Sequence, residues 1–330
     1  MRENDVLEIR DLRVNIMTMK GILYALQGVD LNLKQGEIHG IVGESGCGKS
    51  MTVKSVLKLH DAARTEMTGE IIYRGENLLE YSEKKMRDVR GSSISMIFQD
   101  PMVSLDPIMK VGKQITEMII NKTDCSKEEA QSRVLELFSS VGIEPAAQRI
   151  NQYPFQMSGG LLQRVMICMA LACHPDILIA DEPTTALDVT IQDQILKLLK
   201  RLQRENGMSV LFVTHDLGVV AEVCDTVSVM YGGRIVETAD VVELFDHPTH
   251  PYTRALLESS PHKGARGERM TTIPGEPPKL YSTSTGCPFA SRCSRSSERC
   301  FESIPASVPV GSGHLAACHL AAEQKGGEYE

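Results

Sequence analysis

Eight residues, Gly43-Glu44-Ser45-Gly46-Cys47-Gly48-Lys49-Ser50, constrain this chain more than any other stretch. They fit G-x-x-x-x-G-K-[ST], the phosphate-binding loop. Glu37 to Val42 before them reads as a short buried strand. Met51 to Leu59 after them carries apolar residues at helical spacing (Met51, Val53, Val56, Leu57, Leu59). Strand, glycine loop and helix together give the motif its chemistry. Glycines let successive backbone N–H groups turn into one concavity, and the helix N-terminus adds partial positive charge. Lys49 supplies a full charge for the β- and γ-phosphates, and the Ser50 hydroxyl can ligate Mg²⁺. Gly43 through Met51 is therefore expected to hold a nucleoside triphosphate.

A chain of 330 residues has room for a large core and for two domains. Its net charge of −8 argues against a general nucleic-acid binder. No apolar run is long enough to span a membrane, and the start, Met1-Arg2-Glu3-Asn4-Asp5, is polar. The expectation is a cytoplasmic protein that reaches a membrane only through a partner.

Apolar and polar positions alternate from residue 6 to 38, interrupted by Gly21, Gly28 and Gly36, which predicts antiparallel strands leading into the loop. Gly69 to Glu76 predicts another strand and turn. Ser93 to Phe98 predicts one more, ending at Gln99-Asp100-Pro101. Helical periodicity follows, with Val111, Ile115, Met118 and Ile119 on one face and Val134, Leu135, Leu137, Phe138 and Val141 on another. This helical insertion covers about residues 100–173. Near its end Ser158 sits where an N-cap belongs, with Gly159 and Gly160 in the first turn, a second terminus suited to an anion. Ile177 to Glu182 is an apolar strand ending in two carboxylates, Asp181 and Glu182. A helix with Ile191, Ile195, Leu198, Leu199 and Leu202 on one face comes next, then the strand Val210 to Thr214 and His215. Val227 to Glu237 is a hairpin turning at Gly232-Gly233. Strands alternating with helices predict an α/β fold whose charged residues gather at strand C-terminal ends.

Taken in this order, the pieces resemble the ATPase subunits of ABC transporters over roughly residues 5–250. Within them the chain is most similar to ATP-binding subunits of bacterial oligopeptide and dipeptide importers. That closer resemblance rests on Gly43-Glu44-Ser45-Gly46, on Phe98-Gln99-Asp100-Pro101 with Ser104-Leu105-Asp106-Pro107, and on the tail. The tail runs from His250-Pro251-Tyr252-Thr253-Arg254 through Pro274-Gly275-Glu276-Pro277-Pro278 to Gly286-Cys287-Pro288-Phe289 and Arg292-Cys293. The resemblance implies an ABC-type P-loop NTPase core (1–250) with an antiparallel β subdomain and the helical insertion, followed by a small Cys-rich C-terminal domain (251–330).

It also implies roles. Asp181 would hold Mg²⁺ with Ser50, and Gln99 would touch both Mg²⁺ and the attacking water. Glu182 would orient and deprotonate that water, because phosphoryl transfer needs positioning more than strong basicity. His215 would bond the γ-phosphate. Ser158, Gly159 and Gly160 would grip a nucleotide held by a second ATPase subunit, identical or paralogous, with Asp188 at the seam. Further partners would be two membrane permease subunits and, indirectly, an extracytoplasmic solute-binding protein, which places the chain at the cytoplasmic face of the cell membrane. The resemblance implies no nucleic acid. Peptide is the implied cargo; nickel or another small solute is the alternative, and a soluble non-transport ATPase lacks support, since no long coiled coil or second cassette is present.

Three features stand out against the common pattern. The signature reads Ser158-Gly159-Gly160-Leu161-Leu162-Gln163, keeping its serine and glycines. The adenine-stacking position aligns with Met19 or Lys20, and Tyr24 is displaced from it. Cys47, beside a helix N-terminus, is either an acidified thiol or a small space-filler.

Four of nine cysteines, Cys287, Cys293, Cys300 and Cys318, crowd the last stretch, separated by five, six and seventeen residues. The segment is rich in Pro, Gly and Ser and poor in core, so it needs a staple. In a reducing compartment four thiolates suggest a [4Fe–4S] cluster, as some peptide-importer relatives carry. The alternatives are Zn²⁺, to which His314 or His319 could contribute, and unligated or disulfide-paired thiols.

Overall fold

The computed structural model describes residues 4–185, 187–259, 272–278 and 280–326. The chain divides into two compact units, one made of 1–80 with 213–330 and the other of 81–212.

In the first unit, β1 (Asp5–Thr18) and β2 (Gly21–Lys34) form the antiparallel pair expected from the alternation, with Thr18 opposite Gly21 at the turn. Next come β3 (Ile38–Val42), α1 (Lys49–Val56), β4 (Thr65–Tyr73) and the two-residue β5 (Glu76–Asn77). Strands β2-β1-β4-β5 make one sheet, and its inward face carries Leu7, Ile9, Leu12, Val14, Leu26 and Ile71. Every residue of β3 is buried, as a parallel central strand requires.

The second unit holds α2 (Glu83–Val89), β6 (Ile94–Ile97), α3 (Pro101–Ser104), α4 (Val111–Lys122), α5 (Lys127–Ser140), α6 (Ala146–Arg149), α7 (Gly159–Leu171), β7 (Ile177–Asp181) and α8 (Val189–Asn206). Strand β8 (Ser209–Thr214) follows and ends just past the unit's last residue. Strand β6 runs parallel to β7, with Ile94 opposite Ile177. The helical stretch forms where periodicity places it. Val111, Ile115 and Ile119 are buried on α4, and Val134 and Phe138 on α5. Ser126 and Glu129 close a capping box at the start of α5, and Gly142, at φ 75°, lets the chain turn away beyond its end.

Back in the first unit lie α9 (Leu217–Val223), β9 (Thr226–Tyr231), β10 (Arg234–Asp240), α10 (Val241–Asp246) and α11 (Pro251–Glu258). The predicted hairpin joins β9 to β10. Both turn glycines take left-handed backbone, φ 57° at Gly232 and 76° at Gly233, as a two-residue turn between twisted strands demands. Beyond them are α12 (Glu298–Glu302), β11 (Val308–Gly311), β12 (His314–Ala316) and α13 (His319–Gly326). Sequence periodicity gave no sign of β11 and β12, yet they extend the sheet in the order β11-β12-β10-β9-β3, with Glu237 opposite Ala316. Among the described residues no helix is long and apolar enough to cross a membrane.

Candidate functional site

Buried β3 delivers the chain to Gly43 at its C-terminal end. A side chain there has no space: an added Cβ would lie 2.1 Å from the Met230 carbonyl oxygen at the end of β9. Gly48 takes φ 112° and forms the N-cap of α1 with no side-chain capping bond. Gly48, having no side chain, cannot itself cap the first turn of α1. Lys49 folds back across the loop, and its ammonium donates to the carbonyl oxygens of Gly43 at 2.7 Å and Glu44 at 3.1 Å. Cys47 is buried, and burial, partly offset by Lys49, pushes its thiol up. It fills space; the acidified-thiol alternative is not what this position holds. Ser50, at the second position of α1, is half-buried. His215 follows β8 on an exposed bend, just ahead of Asp216, which caps α9 through bonds from the Gly218 and Val219 amides.

The second unit carries the other candidates. Strand β7 buries all five of its residues, ending at Asp181, which is 3% exposed. At Glu182 the backbone turns left-handed, φ 48°, a conformation that a non-glycine residue adopts only where its surroundings impose it. Its carboxylate oxygen Oε2 accepts from Gln99 Nε2 at 3.0 Å and from Thr185 Oγ1 at 3.0 Å. Gln99 and Glu182 are thus brought together from positions 83 residues apart. Thr185 was not among the sequence candidates. Its spacing of three from Glu182, within a Thr-Thr pair, was the available signal.

Ser158 caps α7 by position, yet its hydroxyl makes no capping bond, and Ser158 and Gly159 are exposed. Gly160 packs so closely on the first turn of α8 that a Cβ would stand 2.9 Å from Ile191 Cγ2. Asp188 caps that same helix, accepting from the Ile191 amide at 3.0 Å. The signature and Asp188 therefore share one corner of this unit.

No aromatic ring occupies the position expected for base stacking. Met19 is fully exposed, and the Tyr24 amide donates to the Leu280 carbonyl of the tail at 2.8 Å.

The four tail cysteines are free, and Cys287, Cys293, Cys300 and Cys318 lie within electrostatic range of one another. Burial, reinforced by the other three sulfurs, pushes the Cys287 thiol up to about 11. Among the described residues, however, no group of three or more His, Cys, Asp or Glu side chains is arranged to hold a metal ion. The ligated site expected from the cysteine spacing has no preformed cage. The mixed Cys/His zinc alternative finds no preformed cage among the described residues either. His314 has both ring nitrogens engaged, Nε2 with Glu237 Oε1 at 2.7 Å and Nδ1 with Glu243 Oε1 at 3.4 Å, while His319 Nε2 donates to the Ser303 carbonyl at 3.0 Å. The tail is stapled by other means: Phe289 meets Tyr231 edge-on at 5.2 Å between centroids and Tyr252 at 5.3 Å.

Comparison with known proteins fits these features. The ABC transporter family profile matches residues 26–185, and the profile of the oligopeptide/dipeptide transporter C-terminal region matches 236–300. A probable peptide ABC transporter ATP-binding protein of Sinorhizobium fredii is 51% identical over 95% of this chain and 94% of its own length. The oligopeptide transport ATP-binding protein OppD of Bacillus subtilis is 50% identical over 95% of this chain and 88% of its own. Among solved structures, a dimeric ATP-binding cassette, MJ0796, in a post-hydrolysis state with ADP and Pi, superposes with a TM-score of 0.64. It shares 30% identity and covers 71% of this chain and 98% of its own. With its phosphate loop, its strand-end carboxylates and its C-terminal region all matched, the chain belongs to the ATP-binding ATPase family of ABC transporters, in the branch typified by peptide transport proteins.

Proposed function

We propose that the chain is the ATP-hydrolysing subunit of an importer of di- and oligopeptides. It works as one of two ATPase subunits docked on two membrane permease subunits at the cytoplasmic face of the cell membrane, with a solute-binding protein delivering cargo from outside. The observation that carries this reading is the joining, in one chain, of a phosphate-loop cassette to the oligopeptide/dipeptide C-terminal region. Exposed apolar side chains on the helical unit, Met102, Val103, Ile108 and Phe155, support a protein partner there.

In this reading the amides of residues 43–51 and the Lys49 ammonium bind the triphosphate. Ser50, Asp181 and Gln99 would hold Mg²⁺, which neutralises charge on the phosphates. Glu182 accepts the proton of the attacking water while the bond from the γ-phosphorus to the ADP oxygen breaks. The donors on its Oε2, Gln99 and Thr185, fix the carboxylate's direction. His215 binds the γ-phosphate, and Ser158, Gly159 and Gly160 of the other subunit close over it beside Asp188.

The iron–sulfur reading of the tail belongs to the same proposal. It rests on four free thiols gathered in one region, and it requires them to close onto iron from positions that do not form a cage.

Glu182→Gln tests the assignment. Reconstituted with its permeases, this variant should bind ATP and stay dimeric in size-exclusion chromatography while hydrolysis falls at least about 10²-fold. Normal turnover by the variant overturns the proposal.

A further inference from the structure

Glu44 is an odd residue for a loop that receives a polyanion, since a carboxylate there repels the triphosphate. The structure shows what restrains it. Arg292, from the C-terminal region, meets its carboxylate in a two-pronged pair, Nη1 to Oε2 at 2.7 Å and Nη2 to Oε1 at 3.1 Å. The guanidinium side chain is only 4% exposed. It is held in turn by bonds to the Tyr231 hydroxyl at 3.0 Å, the Pro274 carbonyl at 2.8 Å and the Ile273 carbonyl at 3.3 Å. A second grip comes from α11, where the Tyr252 hydroxyl accepts from the Glu44 amide at 2.9 Å. The third polar group of the same residue, its carbonyl oxygen, receives the Lys49 ammonium. Phe289 packs against both Tyr231 and Tyr252, so the ring cluster that docks the tail also sets where Arg292 stands, three residues further on.

We propose that Arg292, assisted by Tyr252, is a positioning residue for nucleotide binding: the C-terminal region neutralises and turns aside the Glu44 carboxylate, and so completes the phosphate loop. The inference rests on the reading of residues 43–51 as a triphosphate site and adds a second job for the tail beyond any metal it carries. A planar guanidinium suits the task because it engages both carboxylate oxygens at once and stays charged at every physiological pH. If Arg292 merely stapled the tail in place, its loss would lower stability without a specific effect of the Glu44 charge on ATP.

The experiment is a titration of the full chain with MgATP at fixed ionic strength, comparing wild type, Arg292→Ala, Glu44→Gln and the double variant. Arg292→Ala should raise the Kd about tenfold, as loss of a charge-assisted pair beside the ligand implies. Glu44→Gln alone sets the reference, since it changes a loop residue and removes only its charge. Adding Arg292→Ala to Glu44→Gln should leave the Kd within about threefold of that reference, because the charge that needed neutralising is gone. A wild-type Kd for Arg292→Ala overturns the inference. So does a double variant weakened beyond that reference, which would mark the arginine as a staple. Should Arg292→Ala fail to fold, Arg292→Gln with the same partner change reads the same quantity. Failure of wild type itself to bind MgATP would instead refute the underlying nucleotide reading, and the positioning role with it.

Discussion

His314→Ala probes the joint between the last strands and the cassette, and its cost follows from the geometry. Glu237 and His314 are each 1% exposed. The Glu237 carboxylate also accepts from the amides of Thr249 at 2.6 Å and His250 at 2.9 Å, and these bonds survive the substitution. Breaking one side of a buried ion pair costs about 3–5 kcal/mol, and the surviving amides put this case near the lower end. For a unit of this size, about 3 kcal/mol corresponds to a drop of about 6–12 °C in Tm. The pH dependence has a definite sign. The bond to Glu237, helped by Glu243 on the other ring nitrogen and opposed by burial, holds His314 above its ordinary 6.5. Burial alone would push Glu237 up, but bonds from His314 and from the Thr249 and His250 amides hold it below its ordinary 4.5. The histidine's contribution is complete below 6.5 and fades as pH rises through its raised folded value. The glutamate's is complete above 4.5 and fades as pH falls through its lowered folded value. Thermal melts followed by circular dichroism should therefore separate wild type from His314→Ala most widely near pH 5.5 and less at pH 8.5. Equal melting at pH 5.5, or a gap that widens on going alkaline, refutes the reasoning.

Gly43→Ala should abolish measurable MgATP binding, because the added methyl would sit 2.1 Å from the Met230 oxygen and force the loop off β9. Wild-type affinity in the same titration would show that the loop yields more easily than its packing implies. Protein purified without oxygen should contain iron and acid-labile sulfide if Cys287, Cys293, Cys300 and Cys318 close on a cluster; a colourless, iron-free preparation removes the iron–sulfur reading.

What the sequence disclosed was the information that local pattern carries. The fully buried runs of β3 and β7, the amphipathic stripe of α8 and the glycine turn between β9 and β10 each follow from spacing and residue type alone. The phosphate-loop pattern was legible for the same reason, since its glycines, lysine and serine stand only a few residues apart. Partners distant in the chain were not. Arg292 and Glu44 are separated by 248 residues, and nothing local to either announces the pair. Strands β11 and β12 are only four and three residues long, and one contains Pro309, so they had no periodicity to read. The cysteine spacing showed which thiols gather, but ligand geometry depends on rotamers and burial that spacing does not encode.

The aromatic cluster of Tyr231, Tyr252 and Phe289 has a practical consequence. Shortening the chain after α11, which looks from the sequence like a clean way to isolate a catalytic core, would uncover two large rings, each no more than 1% accessible in the intact protein. It would also take away the proline that covers Gly232, whose Cβ position lies 2.8 Å from Pro288. Such a fragment would present a sticky apolar face, and self-association in the test tube would then be an artefact of the cut rather than a property of the transporter subunit.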